Sequence, residues 1–274
     1  MAVRMKIATS KSVILTFVAV LFFIPLTSTA QRPEFSVSDL KSKVVLKRLF
    51  NADSFDINGA AMWKPNFADS MEFESNVWSD GFCHSKLDTI MTYRENDSIQ
   101  RAILVFSTTN EEGCMYCYPY IGVAEFMKFR KQPWTIEGFR KNLGMFGGEN
   151  DDNGPLIALP KAGPQTWLLQ LTTHVGTNPE SIDNAHFFDD YGEVFAITIH
   201  HEDSYPKYSW DRKISFIIPK DQSELSSTDC YDIIAIQTGT LPPDEGDANS
   251  EEKKFSRKES YEYNFGLHRY ERAK

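Results

Sequence analysis

Residues 113–119 read Gly-Cys-Met-Tyr-Cys-Tyr-Pro, and the Cys114–Cys117 spacing admits three chemistries. A CxxC pair that opens a helix is a thiol–disulfide redox centre, because the helix dipole lowers the thiol pKa. Joined by two further ligands it is a zinc site. Outside the cytosol it is most often a structural disulfide. Pro119 and the extended run Tyr120–Phe126 follow the pair directly, which argues for a strand and against the redox reading. Zinc would take Cys83 and His84 as its other ligands. That Cys2His2 set is acceptable chemistry but lacks the usual doubled spacing. The disulfide reading is therefore favoured, and of the three full pairings that four cysteines allow, Cys114–Cys117 with Cys83–Cys230 is the expected one. The chain-entropy model gives the short ring ~2 kcal/mol and the long loop ~5 kcal/mol.

The redox compartment is read from the N-terminus. Arg4, Lys6 and Lys11 form a basic region, Val13–Ile24 an apolar run, and Ser28-Thr29-Ala30 a small-residue cleavage site. Residues 1–30 thus read as a secretory signal cut after Ala30. The apolar run is shorter than the ~20 residues of a spanning helix, so no stable membrane insertion is expected after cleavage, and the product is periplasmic or secreted.

Other candidate chemistry is sparse. His200 and His201 are adjacent in a strand-like run and point to opposite faces. His201 shares its face with Phe195, Ile197 and Ile199, which suits a satisfied, half-buried side chain. There is no HExxH and no GxSxG. Ser38-Asp39-Leu40-Lys41 matches SxxK formally, but without its partner motifs, and Ser38 reads better as a helix N-cap. The acidic stretches Glu149–Asn153 and Asp183–Asp190 read as solvated loops, with calcium as the sharper alternative. No nucleotide fingerprint is found and no cofactor is expected. Trp63, Trp78, Trp134, Trp167 and Trp210 are candidates for a peptide- or glycan-binding face, although most tryptophans bury.

The elements that must position these residues are mostly strands. Alternating or extended apolar runs cover Leu87–Tyr93, Ile99–Thr108, Tyr120–Phe129, Trp167–Thr173, Glu193–His201, Lys213–Pro219 and Tyr231–Gln237, with a closing strand through Tyr261–Leu267. Glu95–Ser98 reads as a hairpin turn. Val37–Phe50 fits a helix or a strand, as does Trp134–Phe146. Gly147–Pro155 is a loop, and 241–258 reads as a charged mobile loop. The expectation is one all-β domain over residues 31–274, with at most one short N-terminal helix and antiparallel meander sheets arranged as a sandwich or partial propeller. Aromatic residues make up 13% of the chain, enough to build a core. The net charge of −9 disfavours nucleic acid and anionic lipid as partners.

The run Ala102–Thr108 leading to Gly113-Cys114…Cys117-Tyr118-Pro119…Gly122…Phe126, with Trp134, Gly144…Gly147 and the closing Tyr263-Asn264-Phe265…Tyr270, resembles a family of uncharacterised exported bacterial proteins. The first cysteine there is often followed by His, where this chain has Met115, which further weakens a metal reading. The resemblance covers about half of residues 31–274 and implies a secreted β-rich fold, propeller-like in some arrangements, without an activity. The functional expectation is an exported, non-enzymatic module binding a protein, peptide or glycan. A secreted hydrolase or a thiol-redox protein using Cys114/Cys117 is the alternative.

Overall fold

The computed structural model describes residues 36–41, 43–66, 68–69, 73, 81–110, 119–146, 154–177, 180–204, 207–221, 225–226, 229–240 and 253–273, which fall in one compact unit, Pro33–Lys274. Cys114, Cys117, Trp78, the segment 1–30 and most of 147–155 lie outside the described residues. The fold is all-β with one short helix and two antiparallel sheets. In the first sheet, β2 (Ser54–Phe55), β3 (Ala61–Trp63), β4 (Cys83–Arg94), β5 (Ile99–Asn110), β6 (Tyr120–Phe129) and β7 (Trp134–Met145) follow one another as a meander, and β1 (Ser36–Val37) pairs outside β7. The second sheet continues the meander through β8 (Leu156–Ala158), β9 (Leu169–Thr177), β10 (Glu180–Phe188), β11 (Glu193–Ser204), β12 (Lys207–Phe216), β13 (Ile233–Thr240), β14 (Lys254–Asn264) and β15 (Arg269–Arg272).

The ambiguous N-terminal segment resolves into a two-residue strand and the helix α1, Lys43–Phe50. Val45, Leu46, Leu49 and Phe50 form its buried stripe, with Lys47 and Arg48 outside in the last turn, where cations suit the helix dipole. Asn51 adopts φ +49°, and the Ala52 N–H reaches back to the Lys47 carbonyl at 2.9 Å, a left-handed helix stop. Ser38 lies five positions before the helix and is not its N-cap.

Both faces of β5 are covered along its central run Ala102–Phe106, which explains why that run is unbroken apolar sequence. Ala102, Leu104 and Phe106 face the helix-side core, where Phe50 meets Phe106 at 4.9 Å and Trp63 at 5.1 Å between ring centroids. Val105, with Ile121 and Val123 of β6, packs from the opposite face on Leu169, Leu171 and Phe188 of the second sheet. The first sheet is thus a middle layer between helix and second sheet, the sandwich-like alternative among those expected.

The second sheet curls. β11 and β12 pair only from His200↔Asp211 to Ser204↔Lys207. Beyond that the strands part, and the sheet folds over its own core. Phe195 on β11 meets Tyr261 of β14 at 4.8 Å and Tyr270 of β15 at 5.7 Å, although β11 and β15 stand four places apart in the sheet.

Two expectations are corrected. Asp183–Asp190 is not an acidic loop: Glu180–Phe188 is β10, with Ala185 and Phe187 buried. Asp183 Oδ1 meets His174 Nδ1 at 2.6 Å across the strands, and Asn184 accepts a hydrogen bond from Thr198 Oγ1. The charged stretch near 241–258 is also strand from Lys254 onward, paired in register with β13.

Candidate functional site

The turn between β10 and β11 organises one end of the molecule. Asp189 Oδ1 accepts the N–H groups of Tyr191 at 2.7 Å and Gly192 at 3.0 Å. Its Oδ2 accepts the Tyr263 hydroxyl at 3.2 Å, and its carbonyl accepts Arg140 Nη2 at 2.6 Å. The Asp189 carboxylate therefore closes the turn locally and holds Tyr263 of the second sheet, while its main-chain carbonyl ties the turn to Arg140 of the first. Gly192 sits at φ +149°, where an L side chain is disfavoured.

Held in this way, Tyr191 is 77% exposed and meets the His268 ring at 4.6 Å between centroids, tilted by 39°. His268 belongs to the β14–β15 turn, closed by Asn264 Oδ1 on the Gly266 and Leu267 N–H groups. The same turn displays Phe265 and Leu267, each more than half exposed. The curl of the second sheet is what brings these two turns together. The result is an exposed aromatic and apolar platform.

Asp190, next in the turn, faces Glu125 of β6 across the inter-sheet cleft, and the two carboxyl groups share a hydrogen bond. Burial pushes Glu125 up to about 7, and the Asp190 charge adds to this while Arg140 and Arg101 oppose it. Two carboxyls this close cannot both ionise readily. Tyr93 and Trp167 stack beside them at 5.0 Å. The cavity here measures about 30 Å³, room for a water and too little for a substrate.

No family model matches the chain, and neither the curated proteins nor the solved structures contain a match. The functional reading therefore rests on the site's own geometry.

The expected bond between Cys83 and Cys230 is not formed; both are free thiols. Cys83 is buried in the helix-side core, whereas Cys230 packs on the core of the curled sheet. Burial, reinforced by the Asp69 charge, pushes the Cys83 thiol up to about 12, and burial pushes Cys230 up to about 11. Neither carries a useful thiolate near neutral pH. Cys83 and His84 also fail as a joint ligand pair. Cys83 points into the core, while His84 Nδ1 meets Asp56 Oδ2 at 3.1 Å on the other face of the strand.

His200 and His201 do face opposite ways. His200 pairs with Asp211 at 2.8 Å and His201 with Glu180 at 2.8 Å. His174–Asp183 and His186–Glu193 repeat the pattern, so these imidazoles serve as cross-strand hydrogen-bond partners. Among the tryptophans, Trp63 and Trp134 are buried, Trp167 lies in the cleft on Tyr93, and Trp210 is half-buried under Arg212. Tyr191 and Phe265 are the most exposed large aromatic rings among the described residues; Phe265 and Leu267, expected in the closing strand Tyr261–Leu267, lie instead in the turn after β14, which ends at Asn264. The one sequence signal of the two turns is an aromatic beside Gly in each: Tyr191-Gly192 and Phe265-Gly266.

Proposed function

We propose that the chain is an exported, non-enzymatic β module that binds a protein or peptide partner at the platform formed by Tyr191, His268, Phe265 and Leu267. The observation that carries this reading is the Tyr191–His268 ring contact, standing exposed on a turn that Asp189 anchors to both sheets. A rigid, amphipathic ring presented in advance loses little entropy on binding, which is why tyrosine recurs at interface hot spots. Phe265 and Leu267 extend the surface with purely apolar area, which suits apolar side chains better than the hydroxyl-rich face of a sugar.

A hydrolase using Glu125 is the second reading, favoured by its pKa near 7. The one-water cavity beside it favours binding over catalysis.

The test is selection from a displayed peptide library against the full chain, repeated with Tyr191→Ala and Phe265→Ala. Peptides retained by the native protein and lost by at least tenfold in the variants support the reading. Peptides unaffected by both substitutions would remove the platform from it, and selective glycan binding would transfer it to sugars.

A further inference from the structure

The inner face of the curled sheet carries a charge cluster unrelated to the platform. Glu259 of β14 is 8% exposed. Its Oε1 lies 3.2 Å from Arg257 Nη2 and 3.1 Å from Arg272 Nη2. Its Oε2 accepts the Tyr261 hydroxyl at 2.9 Å and lies 3.7 Å from Arg212 Nη2. Burial would raise the Glu259 carboxyl, yet Tyr261 and the three guanidinium groups together hold it below its ordinary value, so it stays ionised.

Two features of this cluster exceed what Glu259 needs. The first is charge: three guanidinium cations surround one carboxylate, leaving a formal surplus of two positive charges on a protein whose net charge is −9. The second is hydrogen-bonding capacity. A carboxylate offers about four acceptor positions, and two arginines, one tyrosine and the more distant Arg212 already address them. Each guanidinium has five N–H donors. Arg257 and Arg272 are 55% and 56% exposed and, among the described residues, each meets Glu259 through one nitrogen. Their two bound nitrogens flank a single oxygen atom and so lie within about 6 Å of each other. Arg212 is 13% exposed; its Nη1 is given to the Thr198 carbonyl, and its buried Nε has no partner among the described residues.

Glu259 therefore acts as a buried strut that holds two planar forks side by side with donors to spare. Paired, pre-oriented guanidinium groups match the oxygen spacing of phosphate and sulfate, and two surplus charges match a dianion. We infer that Arg257 and Arg272, supported by Glu259 and Arg212, form a binding site for a tetrahedral dianionic oxyanion, such as the phosphate or sulfate group of a ligand. This site is independent of the proposed platform.

The test is titration of the full-length processed protein with inorganic phosphate, sulfate and acetate at constant ionic strength, following the arginine Nε–Hε resonances by NMR. Saturable shifts with phosphate or sulfate are expected, with acetate at least tenfold weaker. The more potent of the two dianions identifies the source chemistry. Arg257→Gln and Arg272→Gln, each leaving Glu259 two cations, should stay folded and each weaken binding. The double variant, which removes two of the three cations and so lowers the thermal midpoint, should weaken it at least tenfold at a temperature where it is still folded. Absence of saturable binding, equal binding of acetate, or full binding by the double variant overturns the assignment.

Discussion

Arg212 Nη1 lies 2.8 Å from the carbonyl oxygen of Thr198, at the point where β11 and β12 part company. The ladder between these strands ends at His200↔Asp211, so the next carbonyl on β11 would lose its partner as the sheet begins to curl. The guanidinium supplies the missing donor and also reaches Gln237 Oε1 at 3.0 Å. One buried cation thus stabilises the fork that makes the sheet fold over.

Replacing Arg212 should consequently destabilise the whole domain. Arg212→Met keeps most of the apolar stem but leaves the Thr198 carbonyl unpaired and Glu259 with one cation fewer. A loss of about 3 kcal/mol is expected for breaking a buried charge pair. Urea denaturation measures it, and a change below about 0.5 kcal/mol would contradict the role assigned to the fork.

Stability should fall as pH rises from about 4.5 to about 7. The Glu125 carboxyl moves from an ordinary value of 4.5 up to about 7 in the folded protein, chiefly through burial. A carboxyl that holds its proton more tightly when folded contributes most below pH 4.5, and this contribution declines as pH climbs to 7. Glu125→Gln cannot lose that proton and should flatten the profile. Urea midpoints between pH 4 and 8 make the comparison, and parallel curves for native protein and variant would count against the raised Glu125 carboxyl.

The thiols of Cys83 and Cys230 should alkylate slowly in the native state at pH 8, with Cys83 the slower. Burial pushes them up to about 12 and about 11, so thiolate is scarce in both. Peptide mapping after timed iodoacetamide treatment reads the rates. A Cys83–Cys230 linked peptide in the non-reduced map would contradict their placement in separate cores.

Gly122 should tolerate no side chain. A methyl group there would stand 2.2 Å from Cε2 of Phe106 and 2.4 Å from the Lys141 carbonyl oxygen. Phe106 is fully buried and the carbonyl belongs to the neighbouring strand, so neither can retreat easily. Gly122→Ala is expected to cost about 3 kcal/mol by overpacking, measurable as a lowered denaturation midpoint. An unchanged midpoint would mean that β6 and β7 are less closely packed than described.

Much of the secondary structure was legible along the chain. Tyr120–Phe129 has the same bounds in sequence and structure, and Glu95–Ser98 is the turn between β4 and β5. Such features are local: side chains alternate every second residue, and turn residues carry their own conformational preferences. Where charge contradicted pattern, local reading failed. β10 contains Asp183 and Asn184, residues that favour turns, yet it is a strand because His174 and Thr198 from neighbouring strands satisfy them. Trp134–Met145 gave no decisive periodicity because charged and apolar residues share both of its faces.

The sequence by itself determined a β-rich chain and turns such as Glu95–Ser98, since each depends on residues close together, and left Val37–Phe50 open between helix and strand. Only the tertiary structure decided that Tyr191 meets His268, that Arg257 and Arg272 converge on Glu259, and that Cys83 and Cys230 stay apart. Those relationships follow from the curl of the second sheet, which arises where β11 and β12 separate and their inward rings, Phe195 and Phe216, pack on strands far away in the chain. Residue types name the candidates for such contacts, but the direction in which a sheet bends is set by how distant side chains fill a shared core.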